Sequence, residues 1–206
     1  MNEFLAPTAL LDHTSAELVK KREFLLTHIT KPKDKIKKLY TFVRSLPLCY
    51  SKNDDQAASK TFAEGCGQCN TKTILLAALS RGAGVPTRLH AYRLSKSAQR
   101  GRIPGWLLTV APDTTVFLWP EFYVNASWLP LQKIVQVEEC EHSSCPFDGA
   151  HCQSMPLKQE WIRHDDGSFA SPDAYFKKHK PTVHGWRAVG WHLVGRRVLN
   201  RRLRTK

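Results

Sequence analysis

The sequence predicts an α+β fold, and three observations carry that expectation. From Asp34 to Ser45, Ile36, Leu39, Tyr40 and Val43 fall at i, i+3, i+4 and i+7, the apolar face of an amphipathic helix. The run Thr71 to Ser80 is rich in helix formers and apolar almost all round. It has too little polar surface for an exposed helix, so it reads as a buried central one. Strand candidates then follow, separated by short turns. Helices ahead of strands, without strict alternation, lead to helices packed on an antiparallel sheet.

Taken in order, Thr14-Ser15-Ala16-Glu17 has the form of a capping box, with a helix expected to run on to His28. Leu18, Phe24, Leu25 and Ile29 are its expected buried positions. Pro32 separates it from the amphipathic helix, and Pro47 closes that helix. Leu48-Cys49-Tyr50 is short and apolar, Ser51 to Ser59 is a polar loop, and Ala57 to Phe62 reads as a short helical turn. The buried helix comes next, stopped by Arg81 and Gly82-Ala83-Gly84. Arg88 to Leu94 and Trp106 to Val110 read as strands, with a basic loop from Ser95 to Gly105 between them. Thr115 to Trp119, Glu121 to Val124 and Trp128 to Leu131 are further strand candidates, the last two joined by a hairpin at Asn125-Ala126-Ser127. Trp106, Trp119 and Trp128 are expected in the core. Asp165-Asp166-Gly167 reads as a turn, and Ser171-Pro172-Asp173 as a helix start. Trp186 to Arg204 reads as a final helix, basic on most faces.

The chain has 206 residues and a hydrophobic fraction of 42%, enough for one globular core with an extension. Its longest apolar run, Ile74 to Leu79, is far short of a membrane span. The start lacks a basic region followed by a long apolar core, so no signal peptide is expected and the protein reads as cytoplasmic. The formal net charge is +13, and from Lys177 onward there are ten Lys or Arg and no Asp or Glu. Arg196, Arg197, Arg201, Arg202 and Arg204 would be the residues to engage an acidic partner, although a merely solvated basic helix is the default reading of such a run.

Six cysteines without an export signal read as free thiols, metal ligands or a catalytic group ahead of disulfides. Cys69 falls at the N-terminus of the buried helix, where free N–H groups and the positive dipole end favour a thiolate. Cys66-Gly67-Gln68-Cys69 is also a C-x-x-C pair. No strand directly precedes it, so an adventitious Cys66–Cys69 disulfide is expected sooner than a redox cycle. Cys140, His142, Cys145, His151 and Cys152 supply soft ligands enough for tetrahedral zinc. Their spacing matches no familiar knuckle, so no metal and no cofactor is expected.

Three stretches together resemble one family. KIKKLYTFVRSLPLCYS looks like the helix that precedes an active site. GCGQC with ILLAALSRGAGVPTRL is similar to a G-x-C, buried helix, Arg, Gly-hydrophobic-Pro-x-Arg signature. FLWPEFYVNASWLPLQ resembles an H-x-W-x-E strand pair followed by W-x-x-x-D. On these matches the chain resembles the transglutaminase-like superfamily, from about Lys33 to Leu131. The resemblance implies a papain-like architecture, with a cysteine-bearing buried helix on an antiparallel sheet. It also implies attack of Cys69 on an acyl group of a protein or peptide, with Trp119, Glu121 and Gln132 supporting the cleft. It implies a Cys-His-Asp triad as well, and here the sequence departs: Phe117 stands at the His position and Gln132 at the Asp position. Phe cannot carry a proton, and Gln can at most orient an imidazole. No His lies between Tyr92 and Glu141, so a shift of register does not restore the triad.

Two functions stay open at this level. In one, Cys69 performs acyl transfer or amide hydrolysis with a base borrowed from His90, His142 or His151. In the other, the fold persists as a binding or scaffold module. The expected organisation is a core over 12–136 and a Cys/His-bearing, basic extension over 137–206, packed on the core.

Overall fold

The computed structural model describes residues 1–50, 55–100, 105–135, 159–179 and 200. Its helices are α1 (Ala16–Leu25), α2 (Pro32–Ser45), α3 (Ala58–Glu64), α4 (Cys69–Gly82), α5 (Gly105–Val110) and α6 (Pro172–Lys178). Its strands are β1 (Thr87–Ser95), β2 (Thr114–Val124), β3 (Ser127–Pro130) and β4 (Ile162–Phe169). They form one antiparallel sheet in the order β3-β2-β1-β4. This is the expected α+β arrangement of helices and antiparallel sheet.

The apolar run becomes α4, buried from Asn70 to Arg81. It lies between β1 and β2 on one side and α1, α2 and α3 on the other, which is why it needs almost no polar surface. Ile36, Leu39, Tyr40 and Val43 of α2 are buried as their spacing predicts. Each such side chain contributes about 1.5–3 kcal/mol by leaving water. Residues 89 and 91 of β1 point into this core, while Arg88, His90 and Tyr92 alternate to the opposite face.

Arg81 closes the far end of α4. It is buried, and its guanidinium donates to the carbonyls of Thr87 (2.7 and 3.1 Å), Ala6 (2.7 Å), Glu3 (3.2 Å) and Ala170. Burial drags its pKa down to about 10, with Asp173 and Glu3 opposing that shift. Asp173 in turn accepts from Thr8 Oγ1 (2.5 Å) and from the Leu10 N–H (3.1 Å). The N-terminal segment, α4 and α6 are thereby joined at one end of the sheet.

Several expectations change. The first helix stops at Leu25, and Phe24 is 75% exposed rather than buried. The sequence AELVKKREFL has no continuous apolar stripe, and Lys21 Nζ covers the Phe24 ring at 5.7 Å. The expected cap also fails, since Ser15 makes no side-chain capping bond. Trp106 to Val110 lies in α5, not in a strand, and Trp106 is 55% exposed rather than in the core. A short apolar run does not distinguish the two periods. The two strand candidates around Pro120 are one strand. Asp165-Asp166-Gly167 lies within β4, at a register shift against β1 where Gly167 takes φ +79°. Among the described residues no helix is long and apolar enough to cross a membrane.

Candidate functional site

Cys69 is the first residue of α4, and its partly buried thiol takes no part in a disulfide. The loop before it is tightly constrained. Gly65 ends α3 with φ +64°, a conformation that glycine adopts without strain. A Cβ on Gly67 would lie 2.7 Å from Thr71 Oγ1 and 3.0 Å from Thr61 Cγ2, so only glycine fits. Gly67 also pairs with the segment after α2: its N–H donates to Pro47 O (3.1 Å), and its carbonyl accepts from Cys49 N–H (3.3 Å). Lys72, wholly buried, reaches the Leu46 carbonyl with its ammonium. A disulfide joins Cys49 to Cys66, with Cα atoms 5.6 Å apart. This corrects two expectations, that these cysteines are free and that Cys66 would pair with Cys69. The bridge joins residues 17 apart in sequence, which only the folded backbone brings together.

Asn70 fixes where the start of α4 meets the sheet. Its Nδ2 donates to Val116 O (3.0 Å), and its Oδ1 accepts from Leu118 N–H (3.0 Å). Thr73 Oγ1 adds a bond to Leu118 O (3.2 Å). β3 pairs only with residues 121–124 of β2, so the α4 side chains satisfy the edge that β3 leaves open. Pro120 follows the same alternation. Its missing N–H would point to that open edge, which is how a proline sits inside β2. The two bonds from Asn70 straddle Phe117, so this strand position lies alongside the start of α4.

Phe117 stacks on Trp119, with centroids 5.5 Å apart and planes at 28°. Trp119 Nε1 donates to Gln132 Oε1 at 2.5 Å. The structure thus joins Trp119 and Gln132. Glu121 faces Arg88 instead, with Arg88 Nε at 2.6 Å from its Oε2 and the guanidinium 4.4 Å from the Trp128 ring.

His90 turns toward β4. Nε2 meets Asp165 Oδ1 at 2.6 Å and Nδ1 meets Ser168 Oγ at 3.1 Å, so both ring nitrogens are engaged. Ser168 also donates to Glu121 Oε2 (3.0 Å), closing a network across three strands. His90 stacks on Tyr92 at 4.4 Å. Burial, then the charges of Asp165 and Glu121, hold the Tyr92 phenol above its ordinary range.

His142, His151, Cys140, Cys145 and Cys152 lie outside the described residues, as do Arg196, Arg197, Arg201, Arg202 and Arg204. Among the described residues no group of three His, Cys, Asp or Glu could hold a metal. Within the basic C-terminal run Asn200 is described, and it clasps Tyr50: Oδ1 accepts from the backbone N–H at 2.8 Å, and Nδ2 donates to the carbonyl at 3.1 Å. Sequence reasoning missed Asn70, Lys72 and Asn200. For Asn70 and Lys72 a signal existed, since polar side chains inside a run destined for burial need partners. For Asn200 there was none.

A family model for the transglutaminase-like superfamily matches residues 23–132, and the chain belongs to that superfamily. The match takes in the α2 helix, the cysteine loop, α4 and the Trp119-to-Gln132 segment. Among solved structures, a candidate cysteine protease from Cytophaga hutchinsonii is similar at 18% identity and a TM-score of 0.48, covering 62% of this chain and 39% of that one. A candidate protease from Parabacteroides distasonis is similar at 12% identity and a TM-score of 0.41, covering 63% of this chain and 25% of that one. The chain therefore matches well under half the length of either protein. No curated protein matches it.

Proposed function

We propose that this chain is a transglutaminase-like domain that has given up triad-based acyl transfer and serves as a binding module for an acidic partner. The observation that carries the reading is the packing around Trp119. The ring at the His position is stacked on the indole, and the amide at the Asp position accepts the indole N–H. Neither group can move a proton to or from a thiol. His90, the described histidine nearest these positions along the sheet, has both ring nitrogens committed to β4. The net charge of +13 supports an acidic partner.

The test is the rate of Cys69 alkylation against pH, with each labelled cysteine identified by mass spectrometry. The expected profile rises steadily with pH. A fast plateau persisting below neutral pH would mark a thiolate paired with an imidazolium. That result would return the chain to the acyl-transfer reading, and single His142 and His151 variants would then identify the base.

A further inference from the structure

Helix α2 forms one wall of a surface groove of about 480 Å³ that lies apart from Cys69 and Trp119. Its lining combines Ile29, Tyr40 and Val135 with Lys37, Lys38 and Arg44. Tyr40 and Val135 are 3% and 6% exposed, so their apolar surface forms a floor rather than a rim. Asp34 is the one carboxylate among the lining residues. Lys35 takes no part in the groove, because its ammonium is bound to Ala83 O at 3.0 Å. Among the described residues no salt bridge engages Lys37 or Lys38.

We propose that this groove is the docking site for an acidic peptide segment of a partner protein, with carboxylates on Lys37 and Lys38 and an apolar side chain on the Ile29–Tyr40–Val135 floor. The proposal rests on the binding-module reading and gives it a location that the sequence did not, since sequence charge pointed to the C-terminal arginines. Two features select this ligand. Lys37 and Lys38, two cations against the single carboxylate of Asp34, attract and orient carboxylates. The concave apolar floor gains from burying a side chain, which a mobile counterion cannot supply.

The experiment uses the full chain and a fluorescein-labelled peptide of sequence Glu-Glu-Leu-Glu-Glu, followed by fluorescence polarisation. Binding is expected at about 50 mM salt and is expected to weaken strongly at about 500 mM, as screening removes the charge contacts. Lys37→Glu with Lys38→Glu is expected to weaken it at least about tenfold. The same double variant is expected to gain affinity for Lys-Lys-Leu-Lys-Lys, an outcome that an unfolded protein does not give. Arg201→Glu with Arg202→Glu is expected to leave binding unchanged.

If the arginine pair abolishes binding and the lysine pair does not, the groove is overturned and the binding-module reading stands. Failure of the unaltered chain to bind the peptide overturns the groove, while the Cys69 pH profile judges that reading separately. Binding that appears only after Glu138, Glu139 and Glu141 are changed to Gln also overturns the proposal. It would assign the groove to the chain's own acidic run, which follows Val135 closely in sequence.

Discussion

The indole N–H of Trp119 donates to the side-chain carbonyl of Gln132 at 2.5 Å, and Phe117 stacks on the same indole. Gln132 is therefore held by the tryptophan instead of orienting an imidazole. Restoring an imidazole at position 117 and a carboxylate at 132 tests what the rest of the site retains. Phe117→His with Gln132→Asp is expected to raise Cys69 alkylation at pH 6 by about tenfold or more, through an ion pair that favours the thiolate. Rates measured by mass spectrometry that match the unaltered chain would mean that position 117 does not face the thiol.

Asn70 anchors the start of α4 to the open edge of β2. Asn70→Ala removes both bonds and leaves the Val116 carbonyl and the buried Leu118 N–H without their partner. The expected cost is about 2–4 kcal/mol, from one buried and one part-buried backbone group at about 1–3 kcal/mol each less whatever relaxation recovers. Urea unfolding measures it. A loss below about 0.5 kcal/mol would show that water replaces the amide.

The Cys49–Cys66 bridge restrains the loop that leads into Cys69. Cutting it frees a loop between residues 17 apart in sequence, and about 3 kcal/mol of stability is expected to go with it. Thermal unfolding of Cys49→Ser with Cys66→Ser, compared with the unaltered oxidised chain, reports the loss. The loop carrying Gly67 and Gln68 is expected to exchange its amide hydrogens faster in the variant. Unchanged exchange there would mean that the Pro47 and Cys49 backbone bonds to Gly67 hold the loop unaided.

Asp166 joins three elements. Arg93 grips its carboxylate with Nε (2.9 Å) and a terminal nitrogen (2.8 Å), and the Tyr175 hydroxyl donates at 3.0 Å. Burial alone pushes this carboxyl up, but the hydrogen bonds from Arg93 and Tyr175 outweigh it and hold its pKa below the ordinary value. Burial, and then the same contact, push the Tyr175 phenol well up. A carboxyl whose folded value is depressed contributes fully above its unfolded value, and that contribution is lost as pH falls through the folded value. Stability is therefore expected to drop on acidification below the ordinary Asp range. Asp166→Asn is expected to cost about 1–3 kcal/mol near neutral pH and to flatten that acid-side dependence. Denaturation midpoints at neutral and acid pH check both, and an equal acid loss in the variant would assign the dependence to other carboxylates.

Much of the fold was legible because burial leaves a periodic mark. Ile36, Leu39, Tyr40 and Val43 could only be one face of a helix, and the apolar run could only be central. The sheet was less legible. Trp106 to Val110 carries no period that separates strand from helix, and Pro120 has the look of a strand break in a strand that runs through it. Asp165-Asp166-Gly167 has the composition of a turn, which conceals the strand that runs through it. Arg93 and Tyr175 supply Asp166 with partners that composition does not reveal. Cys69, Phe117 and Gln132 were visible in the order of motifs that carries the family resemblance. That His90 is committed to Asp165 and Ser168 depends on a strand more than 70 residues away.

The sequence by itself determined the helix-then-sheet order, the buried α4 with its cysteine, the family signature, and Phe117 and Gln132 at the two positions where the resemblance implies a His and an Asp. Each of these is a property of residue type and local spacing. The tertiary structure decided that Cys49 takes Cys66, that Asn70 completes the edge of β2, that Gln132 serves Trp119, and that Lys37 and Lys38 rim a groove floored by Val135. These are contacts between residues far apart in the chain. Which polar group finds which partner is settled only when the core brings their backbones within hydrogen-bonding distance.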